Sequence, residues 1–148
     1  IPLRLVGSEM CIRDSIMALE TPGCPAANAL PPLASRFLKV DELPWKPTQV
    51  EGIDMKVLMQ DKESGLLTAL FRWQPGTELP LHEHVEVEQT YVLEGSIVDA
   101  EGEVRAGDYV WRPRGNQHVA RAPHGALVLS FFLKPNLFID AFAGQKLE

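Results

Sequence analysis

At 148 residues, with 45% apolar and 23% charged side chains, the chain is long enough for one compact domain and too short for two ordinary ones. Its 20 Asp and Glu outnumber 14 Lys and Arg for a net charge of -6, the wrong sign for a surface that neutralises phosphates, so no nucleic-acid partner is expected. The longest apolar run, Ala126 to Leu133 with Ser130 inside it, falls far short of the ~20 residues of a membrane-spanning helix, so no membrane partner is expected either.

Residues 1–16 show no sustained periodicity and read as a non-native tail ahead of a start at Met17. Residues 17–44 contain Pro22, Pro25, Pro31 and Pro32 among Ala and Gly, which forbids a long helix and predicts an irregular N-terminal arm. That arm has neither a basic start nor a continuous apolar core, so it does not read as a secretory signal. Cys11 and Cys24 both lie in these upstream segments, leaving neither a disulfide framework nor a cysteine zinc site; a reducing, cytoplasmic location follows as an expectation. From Trp45 onward short apolar or alternating runs are divided by turn residues, the pattern of an all-β sandwich or barrel. Strands are predicted at Met55–Gln60 and Leu66–Trp73, which form a hairpin closed by Pro75-Gly76, then at Gln89–Asp99, Glu103–Val104, Asp108–Arg112 and Gln117–Arg121. Ala126–Leu133 reads as a strand buried on both faces, and Leu137–Ala143 as a short terminal helix or strand.

Three of the four histidines, His82, His84 and His118, lie in or beside predicted strands. The i, i+2 spacing of His82 and His84 puts both imidazoles on one face of an extended chain, close enough to share a metal ion if the strand end curls. Glu88 has the same parity, but it joins them only if the chain turns after His84 and returns the carboxylate on the adjacent strand. Spacing alone favours an acidic exposed strand in which the histidines sit among Glu83, Glu86 and Glu88 without a metal.

Two separated segments change that balance. Gly76-TELPL-His82-Glu83-His84-VEV-Glu88-QTYVLE-Gly95 resembles the first motif of the cupin superfamily, and Gly107-DYVWR-Pro113-Arg114-Gly115-NQ-His118 resembles the second. Within that superfamily the stretch from Trp45 to about Phe138 looks most like the ChrR-like cupins, through Gly52-Ile-Asp-Met-Lys56, Leu70-Phe-Arg-Trp73 and Tyr91-Val-Leu-Glu-Gly95. That group joins zinc-binding anti-sigma sensor domains to stand-alone proteins, including dioxygenases that cleave acetylacetone or dihydroxyacetophenone. The resemblance implies an all-β double-stranded β-helix, the RmlC-like jelly-roll barrel, as one cupin domain over residues 45–148 with a short C-terminal extension. It also implies one divalent metal ion per chain held by His82, His84, Glu88 and His118, and a homodimer. The Val-Glu-Val link between His84 and Glu88 lacks the usual turn residues, which leaves Glu86 as a competitor of Glu88 for the carboxylate role.

Three imidazoles and a carboxylate suit iron(II), manganese(II), nickel(II) or zinc(II), with iron(II) favoured if the site is catalytic. The leading expectation is a metal-dependent dioxygenase acting on a small-molecule substrate, a diketone or aromatic hydroxyketone, with no separate catalytic residue assigned. The alternative is a non-enzymatic zinc-type metal-binding or sensor cupin, for which residues 17–44 are too short and too proline-rich to form a helical sigma-binding domain. Phe71, Trp73, Tyr91 and Trp111 are candidates for a cavity lining or for ordinary core. Arg72 must face solvent or pair with an acid or an anionic substrate. Gln117 points away from the face that His118 uses, and His124, in a Pro-His-Gly turn, stays outside the metal shell.

Overall fold

The computed structural model describes residues 19–139; the expected tail at 1–16, Cys11 and the end of the expected Leu137–Ala143 element lie outside the described residues. The described chain begins with β1 (Leu19–Glu20), a single helical turn α1 (Pro25–Asn28), a 3-10 turn at Val40–Glu42 and β2 (Lys46–Pro47). The barrel strands follow as β3 (Ile53–Asp61), β4 (Leu66–Trp73), β5 (Thr77–Glu83), β6 (Glu88–Val98), β7 (Glu103–Arg105), β8 (Tyr109–Arg112), β9 (Gln117–Ala122), β10 (Ala126–Phe132) and β11 (Leu137–Phe138). The expected strands are all present, with bounds moved by one or two residues, as fraying ends commonly are. No helix among the described residues is long and apolar enough to cross a membrane.

All the pairings are antiparallel. One sheet runs β3-β4-β10-β6, with β8 on the far side of β6; the other contains β9, β5 and β11. Strand β6 belongs to both: Glu88–Gly95 pairs with β10, while Ser96–Val98 pairs with β7. Its length and bend fold the sheets over one another into a two-layered jelly roll. Between the layers lie Ala69, Val92 and Ala122, each at 0% exposure, with Ile53, Phe71, Phe132 and Phe138 buried around them. Phe71 and Phe132 meet edge to face at 5.8 Å, a favoured aromatic geometry.

Two irregularities place side chains that simple alternation would not. The pairing of β5 with β9 matches Leu79 to Ala120 and His82 to His118, so β5 carries one extra residue at Pro80–Leu81. Because of that bulge Leu79 and His82, an odd interval apart, both face the interior. At the other, Gly95 adopts φ +69° where the backbone of Gly125 crosses β6; a Cβ there would stand 2.0 Å from the Gly125 carbonyl oxygen.

The N-terminal arm packs along β3. Leu19 and Glu20 pair with Asp61 and Gln60, Thr21 Oγ1 donates to the Leu58 carbonyl at 2.7 Å, and Lys56 Nζ donates to the Val40 carbonyl at 2.8 Å. Strand β10 differs from expectation. Its inward residues Ala126, Val128, Ser130 and Phe132 are buried, but Phe131 on the other face is 40% exposed. The strand is thus covered on one side only, because no layer of the described chain packs over the outer face of that part of the sheet.

Candidate metal centre

The bulged end of β5 brings His82 and His84 to the barrel interior, and β9 sets His118 opposite His82. His84 ends the strand under two backbone bonds to the following loop: its N–H donates to the Asn116 carbonyl at 2.9 Å, and its carbonyl accepts the Gly115 N–H at 2.8 Å. The three imidazole centroids are 4.6 to 5.0 Å apart, and one ring nitrogen from each falls within 4.8 Å of the other two. All three histidines are buried. His124 is exposed in its turn, and Gln117 faces outward to donate to Glu83 at 2.8 Å.

Each ring carries an oxygen beside its Nδ1. His82 Nδ1 is 2.8 Å from the Pro80 carbonyl, and His118 Nδ1 is 2.8 Å from Asp99 Oδ2. His84 Nδ1 lies 2.9 Å from Glu88 Oε2, an ion-pair distance without hydrogen-bond alignment. At His82 the Pro80 carbonyl holds the proton on Nδ1 and leaves the Nε2 lone pair for an ion; at His118 Asp99 does the same against Arg112 Nε, 3.3 Å from that nitrogen. His82 Nε2 is buried with no protein partner, and His84 Nε2 and His118 Nε2 approach to 3.0 Å. That last separation matches two ligands at ~2.1 Å from one ion at an angle of about 90°. The donor set therefore fits a divalent metal, and its buried orphan nitrogen is the observation that calls for one.

The electrostatics agree. Burial brings the His82 imidazole down to about 4, and burial together with the Arg112 charge lowers His118 against the pull of Asp99, so both rings stay neutral at physiological pH. For Glu88 burial would raise the carboxyl, but contacts from His84 and Asn136 outweigh it and hold the group at about 2. Its Oε1 accepts from Thr90 Oγ1 at 2.9 Å and its Oε2 from Asn136 Nδ2 at 3.0 Å. Thr90 Oγ1 is in turn 2.8 Å from Ser130 Oγ. Glu86 points elsewhere, with a carboxylate oxygen 3.6 Å from Arg114 Nη1 at the surface. So the chain does turn after His84 to bring Glu88 back beside the histidines, as its candidacy required, and it carries Glu86 away from them.

Asp99, Arg112, Asn136 and Thr90 were not legible as site residues. Asp99 has two tasks: Oδ1 accepts the Glu101 and Gly102 N–H groups at 2.8 and 3.0 Å to build the β6–β7 turn, and Oδ2 meets both His118 and the Arg112 guanidinium. In the sequence it looks like any turn-forming aspartate. Burial would raise its carboxyl; the bonds from Arg112 and His118 prevail and bring it to about 2. Of the aromatic candidates, Phe71 and Trp73 do line the interior cavity beside His82 and His118, a narrow space of about 50 Å³. Tyr91 and Trp111 do not: they are 40% and 59% exposed on the outer face, because register rather than composition decides the side of the sheet. Arg72 is exposed, pairs with Asp54 at 3.0 Å and lies over the Trp45 ring.

A two-layered antiparallel barrel that gathers three buried histidines from facing strands around an interior cavity defines a cupin, of the RmlC-like kind. More narrowly, residues 34–136 match the ChrR cupin-like domain family, and the chain belongs to that family. No curated protein sequence matches it. Among solved structures, it is similar to an RmlC-like cupin from Ralstonia eutropha at 19% identity and a TM-score of 0.69, covering 78% of this chain and 79% of that one. An acetylacetone dioxygenase from Acinetobacter johnsonii is similar at 22% identity and a TM-score of 0.64, covering 76% and 83%. The anti-sigma ChrR, in its complex with SigE from Rhodobacter sphaeroides, is similar at 20% identity and a TM-score of 0.54, over 64% of this chain and 50% of that one.

Proposed function

We propose that the chain is a metal-dependent dioxygenase that takes iron(II) at His82, His84 and His118 and acts on a small diketone or aromatic hydroxyketone. The observation that carries the reading is the buried, unpartnered His82 Nε2 beside the 3.0 Å pair of His84 and His118 Nε2 atoms, with His82 and His118 lining the interior cavity. Similarity to an acetylacetone dioxygenase supports the substrate class. A three-nitrogen donor set leaves coordination positions open, whereas four tetrahedral protein ligands would close them. When bound, the ion would supply Lewis acidity toward a chelating pair of substrate oxygens and, as iron(II), electrons for dioxygen.

The protein's own residues do the rest. The Pro80 carbonyl and Asp99 fix the ring tautomers of His82 and His118. Glu88 lies beside His84 on the Nδ1 side, held by Thr90 and Asn136 with a lone pair left on each carboxylate oxygen. Phe71, Val128 and Phe132 give the cavity an apolar wall that excludes water from an enolate, and Arg112 places a fixed positive charge at its edge. Protein loaded anaerobically with iron(II) is expected to consume oxygen with at least one member of a panel of β-diketones and hydroxyketones. Absence of uptake with every member refutes the proposal.

A second reading, a zinc-holding or sensing domain, is favoured by the similarity to the anti-sigma ChrR. Element-resolved metal content of protein purified without added metal separates the two. Iron or manganese supports catalysis, and stoichiometric, tightly held zinc supports the sensor.

A further inference from the structure

Inside the barrel, a group of neutral polar side chains gathers beside Glu88. Register sets Thr90 on β6, Ser130 on β10 and Ala69 on β4 side by side across the inner face, and all three are buried. Asn136, between β10 and β11, is 2% exposed and joins them around the carboxylate. Thr90, Ser130 and Asn136 line the interior cavity together with His82 and His118. Their bonds to Glu88 hold them in place, and the same bonds decide where their protons point.

A carboxylate accepts hydrogen bonds and has no proton to give. Thr90 therefore spends its single hydroxyl proton on Glu88 Oε1, at 2.9 Å. The 2.8 Å contact between Thr90 Oγ1 and Ser130 Oγ then has one direction left: Ser130 donates and Thr90 accepts. Asn136 turns its Nδ2 to Glu88 Oε2 at 3.0 Å, which fixes the orientation of the amide and leaves Oδ1 buried without a protein partner. These side-chain protons all run toward Glu88, so this wall offers a ligand lone pairs alone, on Ser130 Oγ, Thr90 Oγ1 and Asn136 Oδ1. The Trp73 indole N–H, also buried without a partner, belongs to another part of the cavity, farther along β4 beyond Phe71.

We propose that Ser130 selects the ligand of this cavity and that Thr90 sets its polarity, so that the wall takes a ligand O–H and turns away a carbonyl oxygen. As a statement about substrate this rests on the dioxygenase reading above. That reading covers two kinds of molecule, diketones and hydroxyketones, and the wall favours the hydroxyketones. A hydroxyketone can give its proton to Ser130 Oγ or to the orphaned Asn136 Oδ1. A diketone, or its enolate, has no such proton: it sets an oxygen lone pair against theirs and leaves buried acceptors unpaired. In a site closed to water, that mismatch lowers affinity on the order of 10- to 100-fold. Thr90 acts through Ser130 and is a positioning residue. Without its demand for a proton, the Ser130 hydroxyl is free to rotate and donate to a carbonyl.

The test reads binding rather than turnover. Acetoin and diacetyl share one carbon skeleton and differ in a hydroxyl against a carbonyl, and both are short, as a space of about 50 Å³ requires. Calorimetric titration of the chain, metal-free and loaded with zinc(II), is expected to show acetoin binding at least ~10-fold tighter than diacetyl. Ser130→Ala is expected to reduce that preference to within about threefold. Thr90→Val keeps the volume of the side chain but releases the Ser130 proton, and is expected to strengthen diacetyl binding about tenfold; a merely structural role for Thr90 would weaken both ligands alike. Equal affinity for the two ligands, no saturable binding of acetoin, or an unchanged preference in both folded variants overturns the proposal. A preference for acetoin without oxygen uptake supports the acceptor wall while refuting the dioxygenase reading. Oxygen uptake with diketones and no such preference retains the dioxygenase reading and overturns the acceptor wall.

Discussion

Replacing Asp99 by Asn keeps the side chain's shape and removes one charge and one acceptor oxygen. In the native protein the two carboxylate oxygens divide four donors between them: the Glu101 and Gly102 amides on Oδ1, and His118 and Arg112 on Oδ2. An asparagine has one oxygen, so if it keeps the turn it presents an NH2 to His118 Nδ1 and the guanidinium. His118 is then driven to the tautomer protonated at Nε2, which withdraws the lone pair an ion needs. The native carboxyl sits at about 2 against an ordinary 3.8, which corresponds to roughly 2–3 kcal/mol of stability, present above pH 3.8 and lost as pH falls through about 2. Leaving Arg112 buried without its partner adds to that, for a total loss of about 3–5 kcal/mol at neutral pH. Loss of the oriented histidine is expected to weaken metal binding about 10- to 100-fold. Urea unfolding gives the first quantity, and competition with a chromophoric chelator the second. Adding Arg112→Met removes the orphaned charge, so the double variant is expected to regain stability while metal affinity stays low. Metal affinity within twofold of wild type in Asp99→Asn would refute the assignment of Asp99 as the residue that positions His118.

Further outcomes follow from the same geometry. Ala at His82, His84 or His118 is expected to abolish metal retention on a desalting column, whereas His124→Ala retains it; equal loss in all four would show that the ligand set is wrong. Glu88→Gln is expected to weaken metal binding about tenfold by relaxing His84, with Glu86→Gln unchanged, and a loss as complete as that of a histidine variant would make Glu88 a ligand. Gly95→Ala drives a Cβ into the Gly125 carbonyl and is expected to cost about 3 kcal/mol or more in urea unfolding. Gly107→Ala, with φ +91° but open space, is expected to cost only about 1 kcal/mol. For chelated protein, the His82 pKa of about 4 lies below its ordinary 6.5, so the unfolded chain binds the extra proton first. Its contribution is complete above pH 6.5 and falls by roughly 3 kcal/mol as pH drops to about 4; a flat unfolding midpoint across that window would contradict the buried, neutral ring.

The strands were legible because turn residues punctuate alternating runs, and the pairing of His82 with His84 because i, i+2 is one face of an extended chain. Glu88 needed a chain reversal that Val85–Val87 does not advertise, yet the strand change from β5 to β6 supplies it. Asp99 was hidden by its own turn, since the Oδ1 contacts explain an aspartate there before the Oδ2 contacts are known. Tyr91 and Trp111 are a failure of another kind. Their apolar character says that they avoid water, not on which side of β6 and β8 they do so, and cross-strand register settled that they face outward. The double-sided burial expected of β10 failed for the same reason, because an apolar outer face need not be covered by the chain that carries it.

The extra residue at Pro80–Leu81 gives β5 two readings. Alternation carried unbroken from Leu79 would turn Leu81 and Glu83 into the barrel and send His82 and His84 out to solvent; the bulge selects the opposite phase. An ion that binds only the inward histidines therefore acts as a lock on strand register. It favours the bulged phase by RT ln(1 + [ion]/Kd), about 4 kcal/mol at a thousandfold excess over Kd, without touching the residues of the bulge itself. A bound metal would thus reinforce the phase that the bulge already selects.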